Sequence, residues 1–185
     1  MEHDRIGQIS AFFADKNDGI DIFKLMKLLY IANRQCLFRY AHPMFFDTMS
    51  SASSGVVLHN TRSRIINADF YDKYIRFDAN LIVHTLKDCT ILNRPTVEDF
   101  DELSEANVEI LEKVWEDHGH QTDLELRDYM ECLYHEINKN KEITFLDILK
   151  AVGNLDPEYH YNEILYFRDL DEMFRKYEND AIIKE

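Results

Sequence analysis

Apolar residues near the start of the chain recur at the spacing of an amphipathic helix. Four of them fall on one face, at intervals of three and four residues: Ile6, Ile9, Phe12 and Phe13. The Asn-Asp-Gly sequence at residues 17–19 is a typical helix stop. Asp21 can cap a second helix, whose apolar residues cover nearly the whole circumference. This pattern predicts a central helix, buried on most sides, that ends just before Pro43.

The next stretch predicts a turn followed by more helix. Asp47 is expected to open a short helical piece. Small residues at 49–55 allow close backbone approach, and Gly55 allows a backbone angle that other residues resist. A turn at this point, followed by a helix over residues 57–74, is therefore expected.

Two short runs in the middle of the chain have the composition of β-strands. They cover residues 81–86 and 89–92, and residues 87–88 can form a tight turn between them. One small hairpin is the expected β content.

Helical signals return after the hairpin. Ser104 is a candidate cap, and residues 122–125 have the Thr-x-x-Glu spacing of a capping box. A shorter helix is predicted over residues 145–152, and the last helix should begin with Asp156 as its cap and Pro157 at the first helical position. The predicted fold is mainly α with a small β-hairpin.

The length of the chain suits one domain with a substantial core. At 185 residues with 45% hydrophobic side chains, the sequence predicts a single compact multi-helix domain over residues 1–185. Three separate cysteines without a C-x-x-C pair suit a reducing compartment. With neither a secretory leader pattern nor a long apolar run in the sequence, the expectation is a cytoplasmic protein that does not span or bind a membrane.

The charge balance indicates what kind of partner the surface suits. The chain carries 21 Lys plus Arg against 35 Asp plus Glu, for a formal net charge of -14. Such a surface disfavours direct nucleic-acid binding, which needs clustered cations, and attracts basic proteins. The alternative is that the charge only keeps the protein soluble.

Two neighbouring segments near the second helix form a sequence motif. The run F-K-L-M-K-L-L-Y-I-A-N-R covers residues 23–34 and is followed by P-M-F-F-D at residues 43–47. Together they resemble the opening signature of the Panacea (SocA-like antitoxin) family. The residues that carry the resemblance as a structural motif are Lys24, Lys27, Tyr30, Asp47 and Gly55. The resemblance covers roughly residues 5–150, with a C-terminal helical extension at 156–180.

The resemblance implies a protein that acts by binding another protein. The expected function is that of an antitoxin-like protein, which neutralises a cognate toxin with a basic surface by occluding it. The alternative is a prophage or mobile-element effector that binds a host protein, as a protease adaptor or an anti-defence inhibitor. Neither function requires a catalytic residue or a cofactor, and a homo-oligomer remains an option.

Several histidines, cysteines and serines could form a reactive or metal-binding site, or could have structural roles. His118, His120, Glu131 and His135 could be assembled into a metal site, but histidines near a helix C-terminus are also favoured by its partial negative charge. Cys36, Cys132 and the serines at 50–54 lack a recognisable catalytic motif around them. The expectation is therefore no metal, no catalytic residue and no enzyme activity.

The segment at the start of the last helix is the candidate partner-binding surface. It interleaves tyrosines, which give large contact area at low entropy cost, with acids: Asp156, Glu158, Tyr159, Tyr161 and Glu163. The alternative is that Tyr159 and Tyr161 only pack the last helix against the core.

The cations of the central helix form a narrow polar stripe. Lys24, Lys27 and Arg34 could hold internal carboxylates such as Asp47, or they could form a solvated face. The structural role is favoured, because a mostly buried helix has few other ways to satisfy its polar edge.

Overall fold

The computed structural model describes residues 2–52, 55–66, 75–77, 89–91, 94–96, 99–134 and 142–182. The elements run in this order: α1 Glu2–Lys16, α2 Ile22–Tyr40, β1 Met49–Ala52, β2 Gly55–Leu58, α3 His59–Ile66, β3 Ile75–Phe77, β4 Cys89–Ile91, α4 Glu105–His118, α5 Asp123–Tyr134, β5 Glu142–Ile143, α6 Phe145–Ala151 and α7 Pro157–Ile182.

The central position of α2 organises the domain. This helix contacts α1, α4, α5, α6 and β2. The Asp21 side chain accepts hydrogen bonds from the amides of Phe23 (2.8 Å) and Lys24 (2.9 Å), which satisfies two of the free amides at the helix start. The helix ends at Tyr40, where Ala41 adopts a left-handed conformation with φ 54°. The predicted cap, end and burial of this helix are confirmed.

An aromatic cluster joins α1 to α4. The Phe12 ring makes edge contacts with Phe13 and Phe100, at centroid distances of 5.5 and 6.0 Å. Phe13 also lies 6.4 Å from the Trp115 ring of α4. α1 ends at the predicted stop, where Gly19 takes a φ of 105° that a residue with a Cβ rarely adopts. The predicted apolar face of this helix is therefore the one that enters the core.

A buried asparagine fixes the path of the chain after α2. The Asn33 side chain is fully buried, and its oxygen accepts a hydrogen bond from the Met44 amide (2.7 Å). Its nitrogen donates to the Phe45 carbonyl (3.1 Å). Because this segment belongs to no helix or strand, the Asn33 amide replaces the backbone partners that the segment lacks.

The stretch after Asp47 forms a hairpin, so the predicted helix is wrong at residues 57–58, which belong to β2. β1 pairs antiparallel with β2, with Met49 opposite Leu58 and Ala52 opposite Gly55. β5 adds to the other edge of β1, which gives a three-stranded sheet in the order β2-β1-β5. The helix that follows is α3, and residues 67–74 of the predicted helix lie outside the described residues. Ser50 and Ser51 lie in β1, which pairs with β2 on one side and with β5, remote in sequence, on the other.

A second antiparallel pair is formed by β3 and β4, with Ile75 opposite Ile91 and Phe77 opposite Cys89. β4 confirms the strand predicted at residues 89–92. The strand predicted at 81–86 and the turn at 87–88 lie outside the described residues; within the described residues β4 pairs with β3.

Side-chain capping defines the starts of α4, α5 and α6. Ser104 accepts from the Asn107 amide, Thr122 from Glu125 and Thr144 from Asp147, and in each pair the second side chain accepts from the first backbone amide. Two free amides are satisfied at each start. The predicted cap at Ser104 and the capping box at residues 122–125 are confirmed.

The mainly α fold class is confirmed, with a sheet larger than expected. None of the helices in the described ranges combines the length and the apolar sequence needed to cross a membrane.

The turn after α4 is closely packed against Trp115 and Lys24. A Cβ added to Gly119 would lie 2.3 Å from Cδ2 of the Trp115 ring. Lys24 donates from Nζ to the carbonyls of Gly119 (2.7 Å) and Gln121 (3.1 Å), and lies 5.9 Å from the Trp115 ring centroid. A cation therefore satisfies the carbonyls at the C-terminal end of α4, where the helix dipole favours positive charge.

Replacing Asn33 with Ala should lower the free energy of unfolding by about 2–3 kcal/mol, because the amides of Met44 and Phe45 would lose their buried partner. Urea unfolding followed by circular dichroism measures the change. The matched control is Asn162→Ala at an exposed position of α7, which should cost less than about 0.5 kcal/mol. Equal losses in both variants would show that Asn33 does not hold the segment after α2.

The Gly119→Ala variant should be destabilised by about 1–3 kcal/mol, because the Trp115 ring must move to admit the methyl group. Trp115 is the chain's only tryptophan, so its emission spectrum reports the movement directly. The control is Gly153→Ala: Gly153 has φ 73° and open space around the added Cβ, so only backbone strain of about 1 kcal/mol is expected. An altered emission spectrum in the control, or an unaltered one in Gly119→Ala, would contradict the packing described.

Candidate protein-binding surface

The start of α7 is held by hydrogen bonds between residues that are close in sequence. The Asp156 side chain accepts from the Tyr159 amide (3.3 Å), and Pro157 is the first helical residue. The Asn154 side-chain oxygen accepts from the Asp156 amide (3.0 Å) and lies 3.0 Å from Nδ1 of His160. The predicted cap and first residue are confirmed, and the network sets the direction of the helix as it leaves α6.

The inner face of α7 packs mainly on α6. Ile164 is fully buried, and Tyr161 is partly buried against the core. The Lys150 ammonium of α6 lies 2.8 Å from the Glu158 carboxylate at the edge of this contact. Because both partners of this ion pair are largely exposed, it adds little to stability, and the apolar contact of Ile164 anchors the helix.

The outward face of α7 is apolar and exposed. The outward face consists of five side chains, Tyr159, Tyr166, Phe167, Met173 and Phe174, whose exposed fractions are 55%, 63%, 48%, 43% and 55%. At about 100° per residue they fall within one arc of the helix, opposite the buried side that Tyr161 and Ile164 occupy. Scattered exposed apolar side chains are ordinary, but a continuous strip on one helix is typical of an interaction surface.

The structure separates the five residues of the sequence-based candidate surface. Asp156 caps the helix, and Glu158 pairs with Lys150, which lowers the pKa of the Glu158 carboxyl. The Tyr159 hydroxyl donates to Glu163 (3.0 Å), and this hydrogen bond raises the pKa of the tyrosine. Tyr161 packs on the core. Of the two tyrosines, Tyr159 is thus placed for contact with a partner, and Tyr161 has the packing role that was the alternative.

Sequence reasoning missed the other four residues of the outward face: Tyr166, Phe167, Met173 and Phe174. A signal for them was present. Tyr159, Tyr166 and Met173 are spaced by seven residues, as are Phe167 and Phe174. A seven-residue apolar repeat is the pattern of a helix that packs against another helix.

Acidic residues border the outward face. Glu158 and Asp169 lie on one flank, and Glu163 lies within the face. The Arg168 guanidinium is 3.0 Å from Asp169. Over residues 156–172 the chain has six acids and one Lys or Arg, so this stretch is negatively charged overall.

A cleft of about 320 Å³ lies between the inner side of α7 and the body of the protein. Its walls include the rings of Phe46 and Phe145, together with three carboxylates and two arginines: Asp47, Asp171, Glu172, Arg64 and Arg168. Since cations and carboxylates are mixed along the wall, the cleft favours no single charge of ligand.

The motif residues of α2 have structural positions. Lys24 holds the turn after α4, and Lys27 and Tyr30 are buried, with exposed fractions of 2% and 0%. Gly55 starts β2 with a φ of 120°, which explains why glycine stands there.

Asp47 caps α3 rather than opening a helical piece of its own or pairing with Lys24. Its carboxylate accepts hydrogen bonds from the amides of Asn60 (2.8 Å) and Thr61 (2.9 Å) and from the Thr61 hydroxyl (2.7 Å). Burial raises the pKa of the Asp47 carboxyl above its ordinary value, and these hydrogen bonds act in the opposite direction. The carboxylate predicted as a partner for the α2 cations is thus used by the start of α3.

The histidines considered for a metal site have other contacts. His118 Nδ1 lies 3.0 Å from the Gln121 side-chain oxygen, and its ring packs 4.4 Å from that of Tyr129. His120 contacts the edge of Trp115, and His135 lies outside the described residues. In the described part of the chain, no three His, Cys, Asp or Glu side chains are grouped in a way that could hold a metal ion.

The candidate nucleophiles are dispersed. Cys36 is buried, and this burial raises the pKa of its thiol to about 11, while Cys132 is exposed. Ser50 Oγ lies 2.8 Å from Nε2 of His59 on the surface, and no carboxylate in the described ranges contacts the other ring nitrogen. A serine nucleophile normally needs its histidine to be oriented by a third group, so this pair does not constitute a triad.

Cys36 should resist alkylation in the folded protein, because at about pH 8 only on the order of one thiol in a thousand is a thiolate. Treatment with iodoacetamide and peptide mass spectrometry should show that Cys36 reacts at least about 100-fold more slowly than Cys132, with its rate rising about tenfold per pH unit up to about pH 11. In urea both thiols should react at similar rates. Rapid modification of Cys36 in the folded chain would identify it as an accessible nucleophile.

Comparison with protein families identifies the domain. The model of the family described as "Antitoxin SocA-like, Panacea domain" matches residues 25–135, which run from α2 through α5. Comparisons with curated proteins and with solved structures give no match. The matched part is more than half of the chain and contains the buried motif of α2, the β1–β2 hairpin and the capped helices α4 and α5. This chain belongs to the SocA-like, Panacea-domain antitoxin family.

Proposed function

We propose that this protein is an antitoxin that binds a cognate toxin and neutralises it by covering its active or substrate-binding surface. The family match is the observation that carries the proposal. The net charge of -14 suits a toxin with a basic surface, in a complex that forms in the cytoplasm. The described residues contribute shape and charge to this task, since the cysteines and histidines weighed as reactive groups are dispersed or engaged in packing.

The proposed domain organisation is one domain over residues 1–185. Its family-like part covers roughly residues 5–150, and the C-terminal helical extension at 156–180 corresponds to α7. The family match ends at residue 135, so α7 lies beyond the matched part. A segment outside the matched part is a natural place for contacts that differ from one toxin to another.

Occlusion predicts that toxin activity is lost in the complex itself. Co-expression with the product of the adjacent gene should restore the growth that this product alone prevents. The two proteins should also co-purify with a Kd below about 1 μM, which corresponds to roughly 8 kcal/mol. The purified complex should be inactive without any protease. The control is the same expression vector with an early stop codon in the antitoxin gene.

Two outcomes would contradict the proposal in different ways. Absence of both growth rescue and a complex would remove the antitoxin function for this partner. Rescue in cells with a falling toxin level, but full toxin activity in the purified complex, would replace occlusion with delivery of the toxin to a protease.

A further inference from the structure

The outward face of α7 has the properties of a helix-binding surface. Its aromatic and methionine side chains are exposed along about four turns of the helix, from Tyr159 to Phe174. Aromatic side chains bury large areas and dominate the energy of protein contacts. Because seven residues make about two turns, a second helix lying along α7 would meet apolar residues at every second turn.

The inner side of α7 leaves this face available. The helix is attached through its first two turns, where Ile164 is buried and Tyr161 packs on the core. Further along, Tyr166, Met173 and Phe174 are exposed, and Phe167 is about half exposed while its ring makes an edge contact with His42 at 5.9 Å. A partner can therefore approach the strip without displacing any core residue.

The charges around the strip decide which partner fits. Glu158, Glu163 and Asp169 lie beside or within it, and Lys150 and Arg168 pair with two of these three acids. A second copy of this chain docking through the same face would bring these acids against one another, which costs binding energy. Lys or Arg beside an apolar strip on the partner would instead complement them.

We infer that the outward face of α7 binds an amphipathic helix of the partner protein, whose apolar strip is flanked by Lys and Arg. This inference deepens the proposed function, because the same surface is then the one that recognises the toxin. The inferred contact surface is centred on Tyr166 and extends to Phe174, whereas the surface expected from the sequence ended at Glu163.

The binding test uses synthetic helical peptides of about three heptads, so it does not depend on any toxin. One fluorescent peptide carries a leucine strip flanked by Lys, a second replaces Lys with Glu, and a third has the composition of the first in shuffled order. The full-length protein should bind the first peptide at least about tenfold more tightly than either of the others in fluorescence anisotropy.

Paired variants locate the site. Tyr166→Ser with Met173→Ser should weaken binding of the Lys peptide by roughly tenfold or more. The matched control, Phe38→Ser with Leu124→Ser, removes two equally exposed apolar side chains from α2 and α5 and should leave the affinity unchanged. Glu163→Lys with Asp169→Lys should reverse the preference, so that the Glu peptide binds more tightly than the Lys peptide. Circular dichroism confirms that each variant is folded.

The inference is overturned by any of three results: equal binding of the three peptides, equal loss in the α7 and control variants, or dimerisation of the chain that the α7 variant abolishes in analytical ultracentrifugation.

Growth rescue separates this test from the test of the proposed function. If the wild type rescues and the α7 variant rescues equally well, the antitoxin function stands and the assigned surface is wrong. If the wild type fails to rescue but the peptide results hold, the surface stands and the toxin partner is wrong.

Discussion

The burial of α2 is the constraint on which the rest of the structure depends. A helix that is apolar on nearly all sides has to be covered on all sides, and α1, α4, α5, α6 and β2 supply that cover. Its few polar groups must then find partners inside the protein. Asn33 does so by holding the segment that follows the helix, and Lys24 by holding the turn after α4. The residues that make the helix polar therefore also define the connections around it.

Polar residues of the family motif also have structural roles, because they connect elements that are distant in sequence. Lys24 is placed by α2 but acts on the end of α4, and Asp47 is placed by the Asn33-held segment but acts on the start of α3. Each joins two elements that are separate in sequence. A substitution at such a position would disturb the arrangement of the whole helical core, although none of these residues contributes a reactive group.

The partner-binding proposal follows from where α7 is attached. The cap at Asp156 and the burial of Ile164 fix the first two turns, and this leaves the opposite side of the helix facing outward along its length. The part of the chain that matches the family model is thus followed by a helix that carries an apolar strip with acids beside it. This combination favours recognition of a basic helix, because the apolar strip supplies contact area and the acids select the charge of the partner.

The sequence by itself determined the features that depend on neighbouring residues. The ends of α1 and α2, the cap at Ser104, the box at residues 122–125 and the start of α7 were predictable, since each is set by a side chain within a few positions of the backbone group it satisfies. The β1–β2 hairpin was not predictable in this way, because its sheet is completed by β5, about ninety residues away in sequence. The role of Asp47 was missed for the same reason: its partners lie thirteen and fourteen residues further on. Tertiary structure also decided that Tyr161 faces the core and Tyr159 faces outward, because the side of α7 that is buried is chosen by its contact with α6 and not by the helix itself.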